Sequence, residues 1–204
     1  FDGDYMTEIR MKESQLTTGI KVLDSKLGSR AHMYRAPCFY LSLNKPSDEH
    51  NGELIAGTLA WSGNFQCSFE VDQQNGLRMV TGMNPYASEY KLQPGKTFET
   101  PAFIFTYTKK GKGEASRNLH RWARNYGVLD GDKPRLTLLH NWEATHMDFN
   151  QDILVELFDG ANKLGVDLFL LDDGWFGNKY PRDADKTALG DWQVDKKKLP
   201  SGIG

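Results

Sequence analysis

The run LLDDGWFG over residues 170–177 places two adjacent carboxylates, Asp172 and Asp173, beside the indole of Trp175. An upstream cluster, Asn141-Trp142-Glu143, offers a second acid and a second indole. Carboxylates accept short, charge-assisted hydrogen bonds from hydroxyl groups, and tryptophan covers the apolar C–H face of a sugar ring. These residue types suit the holding of a polyol. Three readings of the Asp172-Asp173 pair stay open: a turn with capping aspartates, a binding pair, or an acid/base pair. Adjacent residues on an extended backbone point to opposite sides. They do not face one another across a bond at the ~5–9 Å separation that glycosidic cleavage needs, which favours binding. No histidine or further carboxylate stands at clear ligand spacing, so no metal is expected.

The other polar residues are read more plainly. His140 and His146 are expected to be hydrogen-bonding loop residues rather than catalysts. Glu143 either reaches the pocket or braces its loop. The run Lys196-Lys197-Lys198 is expected to be a solvated face, Trp192 is either a core anchor or a pocket wall, and Trp61 is expected to pack in the core.

Two kinds of element must position these groups. Up to about residue 108 the pattern is β. Phe65, Cys67, Phe69 and Val71 alternate with Gln66, Ser68 and Glu70, the period of a half-buried strand. Residues 54–61 and Phe65–Val71 are expected to form a hairpin through Trp61-Ser62-Gly63-Asn64. Further strands are expected at 38–43, 77–82 and 97–108, giving an antiparallel sandwich. Gly111 to Gly113 reads as a flexible break, and 114–126 as a helix ended by Gly127. From Arg135 the order becomes β-α-β: a strand at 136–139, a helix at 150–164 capped by Asp148 or Asn150 and closed by Gly165, then an apolar strand at 166–171. All-apolar strands flanked by amphipathic helices indicate a parallel sheet, and parallel α/β folds bind ligands at the carboxyl ends of their strands. Both clusters lie there.

The 204 residues carry 25 basic and 27 acidic side chains, which argues against nucleic-acid or anionic-membrane partners. Apolar residues make up 39% and aromatics 12%; the aromatic share points to large cores or to flat platforms for rings. Cys38 and Cys67 are too few for a disulfide scaffold and are expected as free thiols. No apolar stretch of ~18 residues occurs, so no transmembrane helix is expected, and no signal-peptide core is visible. The compartment, cytoplasmic or periplasmic, stays open. The chain opens at Phe1 and stops at Gly204 in an apparent loop, so it is expected to be a piece of a longer protein.

Several motifs together resemble glycoside hydrolase family 36, the microbial α-galactosidases. They are Asn141-Trp142-Glu143-Ala144-Thr145, Asp148-Phe149-Asn150, Leu171-Asp172-Asp173-Gly174-Trp175-Phe176-Gly177, Leu189-Gly190-Asp191-Trp192 and Lys198-Leu199-Pro200. Gly52-Glu53, Ser62-Gly63-Asn64, Gly82-Met83-Asn84-Pro85 and Leu92-Gln93-Pro94-Gly95 fit the same family upstream. The resemblance implies an antiparallel β-supersandwich followed by the first two βα units of a (β/α)₈ TIM barrel. Residues 1–110 would be part of the sandwich, 111–133 a linker with a helix, and 134–204 the truncated start of the barrel. It implies a retaining exo-α-galactosidase acting on melibiose- and raffinose-type sugars, without cofactor or metal, and a homo-oligomer, often a tetramer. Asp172, Asp173, Trp142, Trp175 and Asn141 are the substrate-binding residues on this reading. No catalytic residue is expected within the chain, because the nucleophile and the acid/base fall on later barrel strands. A barrel takes ~200–250 residues, whereas about 70 follow Pro134. His146-Met147 departs from the aromatic often found there. Three alternatives remain open: an α-N-acetylgalactosaminidase, a raffinose-synthase-like relative, and a non-catalytic carbohydrate-binding protein with a degenerate barrel.

Overall fold

A computed structural model describes residues 1–203, and the chain divides into two compact units, Phe1–Asp132 and Lys133–Gly204. The first unit contains two three-stranded antiparallel sheets. One has the order β1-β4-β5 (Gly19–Asp24, Phe65–Val71, Leu77–Met83) and the other β2-β3-β6 (Cys38–Ser42, Leu54–Leu59, Phe103–Thr108). The alternation read in Phe65–Val71 is visible directly: Phe65, Cys67 and Phe69 are buried and gather with Phe39 and Leu59 from the other sheet. This is the inward face of a sheet-on-sheet core. Gly57 lies in that face. A Cβ there would come within 2.5 Å of the Phe103 ring and 3.0 Å of the Phe39 ring, so only glycine leaves room for the two stacked phenyls. Cys38 and Cys67 are both free, and burial pushes the Cys67 thiol up to about 11.

The expected hairpin of 54–61 with Phe65–Val71 does not form. β3 pairs with β2 and β6, while β4 pairs with β1 and β5, so residues 60–64 carry the chain from one sheet to the other. Turn chemistry serves a hairpin and a crossover alike, and here each strand finds two better neighbours. Trp61 is not in the core either. It is exposed, donates its indole N–H to Asn64 O (3.1 Å) and braces the corner. The strand expected over 97–108 begins only at Phe103, and β1, an edge strand with Ile20 and Val22 facing outward, gave no recognisable buried pattern.

α1 spans Gly111–Trp122 and ends in a π-helical turn, Ala123–Gly127. Its Gly111 and Gly113 are not a flexible break. The first N–H groups of α1 donate to the carbonyls of Gly52, Asp48 and Glu49, so the loop at 48–52 caps the helix. Gly111 has φ +77°, and a Cβ would strike Glu49 O at 2.6 Å, which explains a glycine at this close approach. Although α1 lies in the segment expected to be a linker, Ala115 and Leu119 pack it on Leu54 and Ala56 of β3.

The second unit is a β-α-β unit. β7 (Leu138–His140) and β8 (Leu168–Leu170) pair in parallel, with Leu138 opposite Leu168 and His140 opposite Leu170. Between them run a short α2 (Trp142–Thr145) and α3 (Gln151–Leu164). Asn150, not Asp148, caps α3: its Oδ1 accepts the Ile153 N–H (3.0 Å), and Gly165 closes the helix at φ +74°. Leu154 packs with Phe149 and Leu199. The expected core face of α3 is covered only in part, since Ile153, Phe158 and Leu164 remain exposed.

Candidate carbohydrate site

Polar side chains lock the strand pair at both ends. At the amino end, Asp167 Oδ2 accepts the Thr137 N–H (2.9 Å) and hydroxyl (2.8 Å), while Thr137 Oγ1 accepts the Asp167 N–H (3.1 Å). At the carboxyl end, Asn141 Oδ1 accepts the Asp172 N–H (2.9 Å) and its Nδ2 donates to Thr145 Oγ1 (3.0 Å). Asn141 is 1% exposed. Its amide holds the two strand ends together, so within this structure it acts as a brace rather than as an exposed ligand group. That joint brings the two sequence clusters into one neighbourhood.

Gly174 shapes the turn after β8. Its φ is +93°, and a Cβ would meet Met147 Cα at 3.0 Å, so the DDG turn is pressed against the loop that follows β7. Lys198 bridges the same two loops, donating to Met147 O (2.6 Å) and Gly174 O (3.1 Å) above the Phe149 ring. The expectation of a solvated lysine run therefore holds for Lys196 and Lys197 but not for Lys198, whose ammonium is needed by two loop carbonyls.

The two aspartates have different surroundings. Asp172 Oδ1 accepts the Asp173 N–H (2.7 Å), and its Oδ2 lies 3.5 Å from His140 Nδ1. The other ring nitrogen of His140 lies 3.3 Å from Glu143 Oε2, which leaves Glu143 exposed and braced toward the loop. Asp173 points to a group that sequence reasoning missed. Arg182 Nε donates to Asp173 Oδ1 (2.9 Å) and Nη2 to Oδ2 (2.5 Å), a bidentate pair. The Gly174 N–H adds a third bond, to Oδ1 (2.6 Å). The Arg182 hydrogen bonds hold the Asp173 carboxyl below the usual carboxylate range; partial burial opposes them, and the Gly174 N–H and the Lys198 charge add to them. Arg182 follows Pro181 among Asp183 and Asp185, in what reads as an ordinary polar loop. No local spacing says which carboxylate it meets.

The indoles divide in the same way. Trp142 is half-buried and stands edge-on to His146 (4.9 Å) beside the carboxyl ends of the strands. Trp175 packs against Phe149, Leu154 and Leu199, so it anchors the small core. Trp192, left open as anchor or wall, is 62% exposed and rests on Phe176 at 4.6 Å.

The glycosyl hydrolase family 36 N-terminal domain matches residues 1–93, and the Melibiase family matches residues 97–204. The chain belongs to glycoside hydrolase family 36. Among its relatives in the family, α-galactosidase AgaA of Geobacillus stearothermophilus is 36% identical over 98% of this chain. α-Galactosidase Mel36A of Lactobacillus acidophilus is 37% identical over 99%. The chain spans about 27% of the length of each. The crystal structure of AgaA superposes with a TM-score of 0.83 over 92% of this chain and 26% of its own. AgaA variants have also been solved with raffinose and with stachyose. The galactosidase domain of the α-galactosidase–sucrose kinase AgaSK, from Mediterraneibacter gnavus, gives a TM-score of 0.87 over 100% of this chain and 28% of its own, at 34% identity. The β-rich first unit fits the N-terminal domain of the family.

Proposed function

We propose that the protein is a retaining exo-α-galactosidase and that residues 133–204 supply part of its galactose subsite. The observation that carries this reading is the junction at Asn141, which sets Asp172 and Asp173 beside Trp142 at the carboxyl ends of two paired parallel strands. Two carboxylates and an indole at that position suit a ring with several hydroxyls on one face and C–H groups on the other. Raffinose and stachyose in the AgaA variants support α-galactosyl oligosaccharides as the substrate class. On this reading the first unit is part of a β-supersandwich, the helix-bearing segment 111–133 leads on from it, and residues 134–204 begin a (β/α)₈ barrel.

The pair holds the sugar rather than cleaving it. Asp172 Oδ2 lies 3.5 Å from His140 Nδ1, whereas Asp173 is held by Arg182, so the two carboxylates have separate neighbours. The nucleophile and the acid/base are then contributed by other sequence of the full-length protein. Cleavage proceeds by double displacement: a carboxylate attacks the anomeric carbon, a glycosyl-enzyme forms, and water releases galactose with retained configuration. Asp172 and Asp173 contribute by orienting the ring. In the full-length protein, Asp172→Asn is expected to lower kcat/KM for an α-galactoside by about tenfold or more. An unchanged kcat/KM in a folded variant would refute the binding role.

A further inference from the structure

We propose that Arg182 is a positioning residue of this site, fixing Asp173 so that only one acceptor direction of its carboxylate is left for a sugar hydroxyl; the inference rests on the galactose-holding reading of Asp173. An ionised carboxylate has about four acceptor positions, two on each oxygen. Oδ1 receives the Gly174 N–H and Arg182 Nε, which fills it, and Oδ2 receives Arg182 Nη2, which leaves one position open. A carboxylate held at three of four positions cannot swivel, and its last lone pair has one direction.

Arg182 is itself immobile. Its side chain is 5% exposed. Nη1 donates to Ala184 O and Thr187 O, both at 2.7 Å, and the guanidinium lies over the Phe176 ring at 5.2 Å. The surrounding loop closes on itself. Phe176 bridges to Val194, Gly177 N–H donates to Gln193 O, and Asp191 Oδ2 accepts the N–H groups of Lys179 and Tyr180. The planar fork therefore joins the loop and the aspartate as one body. Lysine has the charge but lacks the fork and cannot serve Asp173 and two carbonyls in this geometry.

The test uses the full-length protein, with free galactose as the probe, read as inhibition of p-nitrophenyl α-galactoside hydrolysis. Arg182→Lys is expected to weaken galactose inhibition about tenfold to a hundredfold. If Arg182 acts through Asp173, adding Arg182→Met to Asp173→Asn costs little beyond Asp173→Asn alone, because the single variants are then non-additive. The double variant exchanges a buried ion pair for neutral groups, a change that folds often tolerate, so it decides the matter even if Arg182→Lys does not fold. Undiminished inhibition in folded Arg182→Lys, or full additivity in the double variant, would overturn the proposal and leave Arg182 a tie for its loop only. If Asp173→Asn alone leaves inhibition unchanged, the galactose-holding reading of Asp173 fails and this inference falls with it.

Discussion

The two units are held together by different physics. In the first, Phe65, Cys67 and Phe69 of one sheet meet Phe39 and Leu59 of the other in a closed apolar layer. In the second, the strands are short and the buried apolar cluster is smaller, Phe149, Leu154 and Leu199. Polar ties fix the loops and strand ends there: Asp167 to Thr137, Asn141 to Asp172, Lys198 to two carbonyls, Arg182 to Asp173. Apolar burial is non-directional and sets stability, whereas hydrogen bonds are directional and set geometry. Substitutions in the first unit should therefore change stability more than sugar affinity. Those among the polar ties should change both, with affinity the more sensitive.

The largest expected effects fall at Phe65 and at Asp173. Phe65→Ala should cost about 3–5 kcal/mol in chemical denaturation with galactoside KM unchanged in the folded fraction; a raised KM would break the division. Asp173→Ala should cost a similar amount, about 3–5 kcal/mol, because it strands the buried Arg182 charge, and it should also lower kcat/KM. Asn141→Ala comes next. It leaves the Asp172 N–H without its acceptor, at about 1–3 kcal/mol, and should raise KM by loosening the DDG turn.

The smallest effect is a pH dependence. The folded Asp173 carboxyl is depressed relative to the unfolded chain. Its contribution to stability is therefore complete above about pH 4, where the unfolded aspartate ionises, and is lost as pH falls through the lower folded value. Acid titration of the Asp173→Asn protein should lack that component.

How much was legible in the sequence follows the same division. Phe65–Val71 announced its buried face by period two, and Gly165 with a choice of Asp148 or Asn150 marked the ends of α3, because those signals lie within a few residues of one another. The crossing of the chain between sheets at 60–64 was not legible, since it depends on which distant strands offer better edges. Gly111 and Gly113 looked like slack because the carbonyls they approach lie some sixty residues earlier. Of the expected site residues, Asp172 and Asp173 follow β8 and Trp142 opens α2 just after β7, while Asn141 and Trp175 have internal partners. Arg182 was hidden because no local spacing says which carboxylate it meets.

The most direct test is a crystal structure of the full-length protein with galactose. Galactose hydroxyl oxygens are expected within about 2.5–3.0 Å of both Asp172 and Asp173, with the Asp173 contact made through Oδ2 and the Arg182 pair intact. Galactose bound with neither carboxylate in hydrogen-bond range would contradict the galactose-holding reading.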